Sequence, residues 1–308
     1  MKKLQSWLGV LLVAQLILAG GLFWNANLAH ADNQPQPLLS FSDDQVNKAI
    51  ISADGDRVTL NKVDDQWQLA DSSLPIDQSK WQQLLERLQN LETGWPVANS
   101  QSSQQRFEVA DDQFQRHVEL FNADKKLADL YLGTSPGFRE VHVRRADDNN
   151  IYNATLATHE FPVDDKSWLN RQLLAVKDIK TISRSDYKLE KTDSGWQLDN
   201  DTQQNIAVNE DKAKALENAL QNLSILDIAK DEQAQNATEV SVISDNQQWS
   251  YKFLKQDDKY FVSRNDLNTV FTISKETYNS IIDIDEPQLA ASPQQDEADK
   301  TASDSDQG

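Results

Sequence analysis

The chain of 308 residues contains no cysteine. That absence removes disulfides, thiolate-held zinc, iron–sulfur clusters and a thiol nucleophile from consideration. Basic residues are scarce: 30 Lys and Arg stand against 49 Asp and Glu, for a net charge of −19. This balance excludes the basic stripe that nucleic-acid binding needs and opposes docking on anionic lipid headgroups. The 9 glycines are scattered, and no Walker loop, Rossmann fingerprint or G-x-S-x-G elbow is present. His117, His142 and His159 share no ligand spacing such as H-x-x-x-H, so they read as solvated, and neither a metal site nor a cofactor is expected. Acidic pairs such as Asp64-Asp65, Asp147-Asp148 and Asp257-Asp258 fall at expected turns and lack the spacing of a calcium loop. With no grouping that defends a triad, the chain reads as non-enzymatic, with no catalytic residue.

What is present is one pattern written twice. Lys62-Val-Asp-Asp-Gln-Trp67-Gln-Leu returns as Lys191-Thr-Asp-Ser-Gly-Trp196-Gln-Leu. Leu88-Gln-Asn-Leu91 returns as Leu220-Gln-Asn-Leu223, and Val143-Arg-Arg145 with Ile151-Tyr152 returns as Val262-Ser-Arg264 with Val270-Phe271. Three matches in one order imply two copies of one module, separated by loop insertions and deletions.

Each copy reads as three strands, a helix, four strands and a short helical piece. Ala49 to Ser52 and Val58 to Leu60 flank Asp54-Gly55, a hairpin signal. Trp81, Leu84, Leu85, Leu88 and Leu91 recur at helical spacing, with Asp77 as N-cap and Ile76 as staple. Asn209, Val208 and the stripe Ala213, Leu216, Leu220 and Leu223 repeat that arrangement. The late strands are Val118 to Phe121, Leu127 to Leu132, Glu140 to Arg145 and Asn150 to Leu156. Their counterparts are Val240 to Ile243, Trp249 to Phe253, Tyr260 to Arg264 and Thr269 to Ile273. Helical pieces are expected at Trp168 to Leu174 and Ser274 to Ile282. Local connections imply antiparallel pairing, hence an α+β fold of two tandem sheet-plus-helix modules.

The N-terminus adds a leader. Lys2 and Lys3 precede an apolar run from Trp7 to Trp24, broken only by Gln15. Two readings stand: a retained transmembrane helix with an exported body, or a signal peptide cleaved after Ala29-His30-Ala31. The body is placed in the periplasm, tethered to the inner membrane or released. The expected organisation is leader 1–31, polar linker 32–44, first module 45–175, second module 176–285 and disordered acidic tail 286–308.

Arg145 and Arg264, each seven residues before an aromatic (Tyr152 or Phe271), form the candidate ligand site. A planar guanidinium fork suits an anionic ligand or a partner's carboxylate, whereas the structural alternative is a salt bridge to an Asp on a neighbouring strand. Trp67 and Trp196 read as core anchors.

The stretch Gly133-Thr-Ser-Pro136-Gly137, Val141-His-Val143-Arg and Trp168-Leu-Asn-Arg171-Gln-Leu-Leu174 resembles domain-of-unknown-function family 4340. The opening hairpin and the following helix carry the same likeness. The resemblance implies a leader followed by an exported α+β body, often an auxiliary part of a gliding-motility-type ABC transport system; it brings no catalytic residue. The expected role is therefore an extracytoplasmic interaction or scaffold protein that docks on a membrane complex, with an ABC transporter permease as the partner the resemblance implies. The alternative is a periplasmic binding module for a cell-envelope glycan, peptide or lipid, using a groove between the copies.

Overall fold

The computed structural model describes residue 15 and residues 36–199, 207–229, 237–245 and 247–291. Apart from Gln15, the leader lies outside the described residues, as do the Ala31 site and positions 292–308. Among the described residues no helix is long and apolar enough to cross a membrane. The fold is mostly antiparallel sheet with a few helices. It divides into two compact units, Met1–Leu169 and Asn170–Gly308.

In the first unit, β1 (Lys48–Ala53), β2 (Asp56–Val63) and β3 (Gln66–Leu69) run as a meander. Helix α1 (Gln78–Gln89) follows, then a short α2 (Gln101–Arg106). Strands β4 (Arg116–Asn122), β5 (Lys125–Leu132), β6 (Val141–Arg145) and β7 (Tyr152–Ala154) complete the sheet. Its order is β7-β6-β5-β4-β1-β2-β3, all neighbours antiparallel. Asp54 (φ 47) and Gly55 (φ 87) both adopt the left-handed region, as a tight two-residue hairpin turn requires.

Alternation along β1 to β3 places Ala49, Ile51, Val58, Leu60, Trp67 and Leu69 in the core. Helix α1 turns Trp81, Leu84, Leu85 and Leu88 inward, and the Trp81 ring meets those of Trp67 and Trp168 edge-on at 5.1 and 5.5 Å. Asp77 caps α1 by accepting from the Lys80 N–H. At the first helical position, Gln78 Oε1 accepts from the Trp67 N–H at 2.9 Å while its amide donates to Trp67 O and Ile76 O. Those bonds occupy backbone groups of the edge strand β3 that would otherwise be open to another chain.

The second unit follows the same plan. β8 (Ile179–Arg184), β9 (Tyr187–Thr192) and β10 (Gly195–Asp199) precede helix α3 (Glu210–Gln221). After them come β11 (Asp227–Ile228), β12 (Thr238–Ser244), β13 (Gln247–Gln256), β14 (Lys259–Arg264) and β15 (Val270–Ile273). The order β10-β9-β8-β12-β13-β14-β15-β11 repeats that of the first sheet, with β11 added at one edge. Asn209 caps the Lys212 N–H as Asp77 caps Lys80. Glu210 Oε1 accepts from the Trp196 N–H at 3.0 Å, in the role of Gln78.

Four expectations differ from the structure. Trp168 to Leu174 is not a helix but a 3-10 turn at Asp165–Ser167 followed by irregular chain. There the backbone pairs sideways, Asp77 N–H donating to Trp168 O and Ile76 bridging Leu169, which competes with helical bonding. The counterpart does form a helix, α4 (Lys275–Ile282), capped by Ser274. The units divide after Leu169 rather than after 175, because Arg171 O accepts from Ile225 N–H and Leu174 O from the Tyr251 hydroxyl. The stretch read as polar linker carries buried Leu38, Leu39 and Phe41, and Leu38 N–H donates to Leu91 O. The tail begins with a helical turn, α5 (Glu286–Leu289), whose Leu289 is buried.

Candidate functional site

Arg145 and Arg264 occupy matching places in the two sheets. Arg145 stands opposite Leu130, and Val143, two residues earlier, lies between Leu132 and Tyr152. Arg264 stands opposite Tyr251, and Val262 lies between Phe253 and Phe271. Tyr152 and Phe271 are buried strand residues whose ladder partners are Val143 and Val262 rather than the arginines. The two arginines belong to different units.

Each arginine is already paired with a carboxylate two residues on. Arg145 Nε and Nη2 donate to Asp147 at 2.9 and 3.2 Å, and Arg264 Nε and Nη2 donate to Asp266 at 2.6 and 2.9 Å. Arg184 makes the same fork with Asp186 at 2.5 and 2.6 Å. The sequence Arg-x-Asp thus recurs as a local clamp at the end of β6, β8 and β14. A bidentate pair of this kind fixes the turn geometry and occupies one edge of the guanidinium. The hydrogen bonds from Arg184 and Arg264 hold the Asp186 and Asp266 carboxyls below the usual range, although burial works against the shift. Arg264 is buried, with Trp249 and Tyr251 rings 5.9 Å from its guanidinium. Arg145 is half-exposed and lines a shallow groove of about 440 Å³ with Leu38, Lys126, Asp129 and Asp147.

Among the described residues, a cluster of titratable groups lies elsewhere, on the face of the first sheet opposite its core. His117 and Glu119 project from β4 and Asp129 and Tyr131 from β5, with His117 opposite Tyr131 and Glu119 opposite Asp129. The His117 and Tyr131 rings stack at 4.3 Å with 13° between planes. His117 Nε2 lies 2.6 Å from Asp129 Oδ1, and Nδ1 lies 4.0 Å from Glu119 Oε2. Two carboxylates facing each other across a ladder destabilise a sheet unless a cation intervenes. Here Lys126 Nζ sits 2.6 Å from Glu119 Oε1 and 2.6 Å from Asp129 Oδ2. Burial acts to lower the Lys126 pKa, but its bonds to the two acids outweigh burial and raise it; burial acts to raise Asp129, and its bonds to Lys126 and His117 lower it.

A second small core covers the neighbouring part of this face. Residues 94–115 lay Phe107, Val109 and Phe114 against Tyr131 and Ile151. Buried Arg144 ties this segment down, donating to Val109 O at 2.7 Å and pairing with Asp111. His142 stacks on Phe107 at 4.1 Å and bonds Thr134 through Nδ1. His117 and His142 are thus packed side chains rather than solvated ones. Spacing along the chain could not reveal the His117 cluster, because its members lie on two paired strands; the readable signal is H-x-E on one strand and D-x-Y on the next.

Gly133 explains one element of the quoted motif. A methyl at this position would overlap the Phe107 carbonyl oxygen and lie 2.6 Å from the Glu108 oxygen. The close approach lets Thr134 N–H donate to Phe107 O at 2.8 Å.

No curated protein and no solved structure matches the chain. A family model described as "Domain of unknown function (DUF4340)" matches residues 67–241, from the first repeated tryptophan into the second sheet. With more than half of its length matched, the chain belongs to the DUF4340 family.

Proposed function

We propose that the protein is a non-enzymatic scaffold of the cell envelope. Two copies of one antiparallel sheet-and-helix module stand behind an N-terminal membrane segment, and the body docks on a membrane complex from the extracytoplasmic side. An ABC transport system is the complex that the family resemblance implies. The observation that carries this reading is the Arg-x-Asp clamp. The repeated arginines, the strongest candidates for holding an anion, spend their forks on their own turns. What each module then offers is an acidic surface, and a membrane tether would raise the effective concentration of that surface near its partner. Affinity capture of the full chain from gently solubilised membranes should recover an integral membrane protein in near-stoichiometric amount. Recovery of the chain alone, under conditions that preserve other envelope complexes, would count against the proposal.

The groove beside Arg145 favours a second reading, a binding module for an envelope ligand, because Lys126 and Arg145 both border it. Loss of glycan, peptide or lipid binding in Arg145→Ala, with folding unchanged, would select that reading.

A further inference from the structure

We propose that His117, Glu119 and Asp129 form a binding site for one divalent transition-metal ion of the zinc class, with Lys126 as a tethered cation that the metal displaces. The inference is independent of the scaffold reading. One ligand atom from each of the three residues lies within 4.8 Å of the other two. Ligands on a single zinc lie about 2.0–2.2 Å from the metal, so small side-chain rotations bring the three atoms to bonding distance. One imidazole with two carboxylates is a donor set suited to a first-row divalent ion, and it leaves a coordination position open.

Three further features point the same way. Glu119 and Asp129 are cross-strand partners, an arrangement whose repulsion selects for a cation between them. The Lys126 ammonium holds that bridging place from a flexible side chain that is 41% exposed, so it can swing into water. Stacking on Tyr131 and the edge of Phe114 fixes the His117 ring, the orientation of an imidazole ligand being what its surroundings must supply.

The second copy serves as an internal comparison. By strand register, Val118 matches Val240 and Leu130 matches Tyr251. His117, Glu119 and Asp129 then correspond to Glu239, Ser241 and Ser250. Among the described residues that face carries an exposed Lys252–Glu239 pair at 3.4 Å and a Gln248–Ser241 bond at 3.0 Å. The apolar core positions recur in both sheets, whereas the ligand set belongs to the first alone. A requirement of the fold itself would have been met in both.

Zinc binding to the full chain in detergent, read by competition with a chromophoric chelator, tests the proposal. One zinc per chain is expected, about tenfold tighter in Lys126→Met and at least tenfold weaker in His117→Gln and Asp129→Asn. Cobalt substituted at the site should give a visible spectrum that His117→Gln abolishes. Absence of stoichiometric zinc in Lys126→Met, or binding unchanged by His117→Gln and Asp129→Asn, overturns the assignment. Lys126→Met alters only a partly exposed side chain, so its result stands even where a ligand variant fails to fold.

Discussion

Replacing Gly133 by alanine probes how the first sheet holds its covering segment. The added methyl overlaps the Phe107 carbonyl oxygen and stands 2.6 Å from that of Glu108. Both obstacles are backbone, so no side chain can rotate away. Residues 107 and 108 must shift, which loosens the Thr134 N–H to Phe107 O bond and the stacking of Phe107 on His142. Overpacking costs about 1–3 kcal/mol, and a weakened hydrogen bond adds about 1 kcal/mol, so the loss should be about 3 kcal/mol. For a unit of this size, about 4 °C accompanies each kcal/mol, which places the drop in Tm of the first unit near 12 °C. Differential scanning calorimetry of Gly133→Ala reads it directly. Gly94→Ala is the control, since a methyl there meets nothing within 4 Å. A Gly133→Ala Tm within about 2 °C of the parent would refute the steric argument, for then the segment 107–108 gives way freely.

Acid should weaken the second unit through its two clamps. Asp186 and Asp266 have folded-state pKa values below the ordinary aspartate value of 3.8, so their contribution is complete above that value and fades as pH falls through the lowered one. Asp266→Asn should flatten the acid limb of the stability–pH curve and cost about 1 kcal/mol at neutral pH, a modest figure because the carboxylate is part-exposed. Urea unfolding between pH 2 and 7 checks both statements, and an unchanged acid limb would contradict them. Gln78→Ala removes three bonds to the Trp67 strand and its flank and should cost about 2 kcal/mol. Hydrogen exchange of the Trp67 amide should accelerate in that variant while the Trp196 amide, held by Glu210, does not change.

The repeated Trp, the helix caps and the late strands were legible because each rests on a local rule. Period-two alternation marks Val118-Glu-Leu120, and Asp77 and Asn209 stand directly before amphipathic runs. The segment 94–115 was not legible: α2 is polar and short, and its anchor is Arg144, thirty-five residues from Val109. Trp168 misled because an apolar spacing that suits a helix also suits a tryptophan wedged between strands and α1. Arg145 and Arg264 drew attention as a repeated pair, yet the Asp two positions later in each case supplied a local partner visible in the sequence. His117 was passed over because its neighbours in space, Asp129 and Lys126, reach it only through strand pairing.

The claim on which the functional account rests is that this body works by contact with a membrane partner. Photo-crosslinking amino acids placed at exposed positions such as Phe138 and Trp95 in living cells test it most directly. The account predicts discrete adducts with one integral membrane protein. Adducts confined to soluble glycan or peptide, or none from any exposed position, would contradict it.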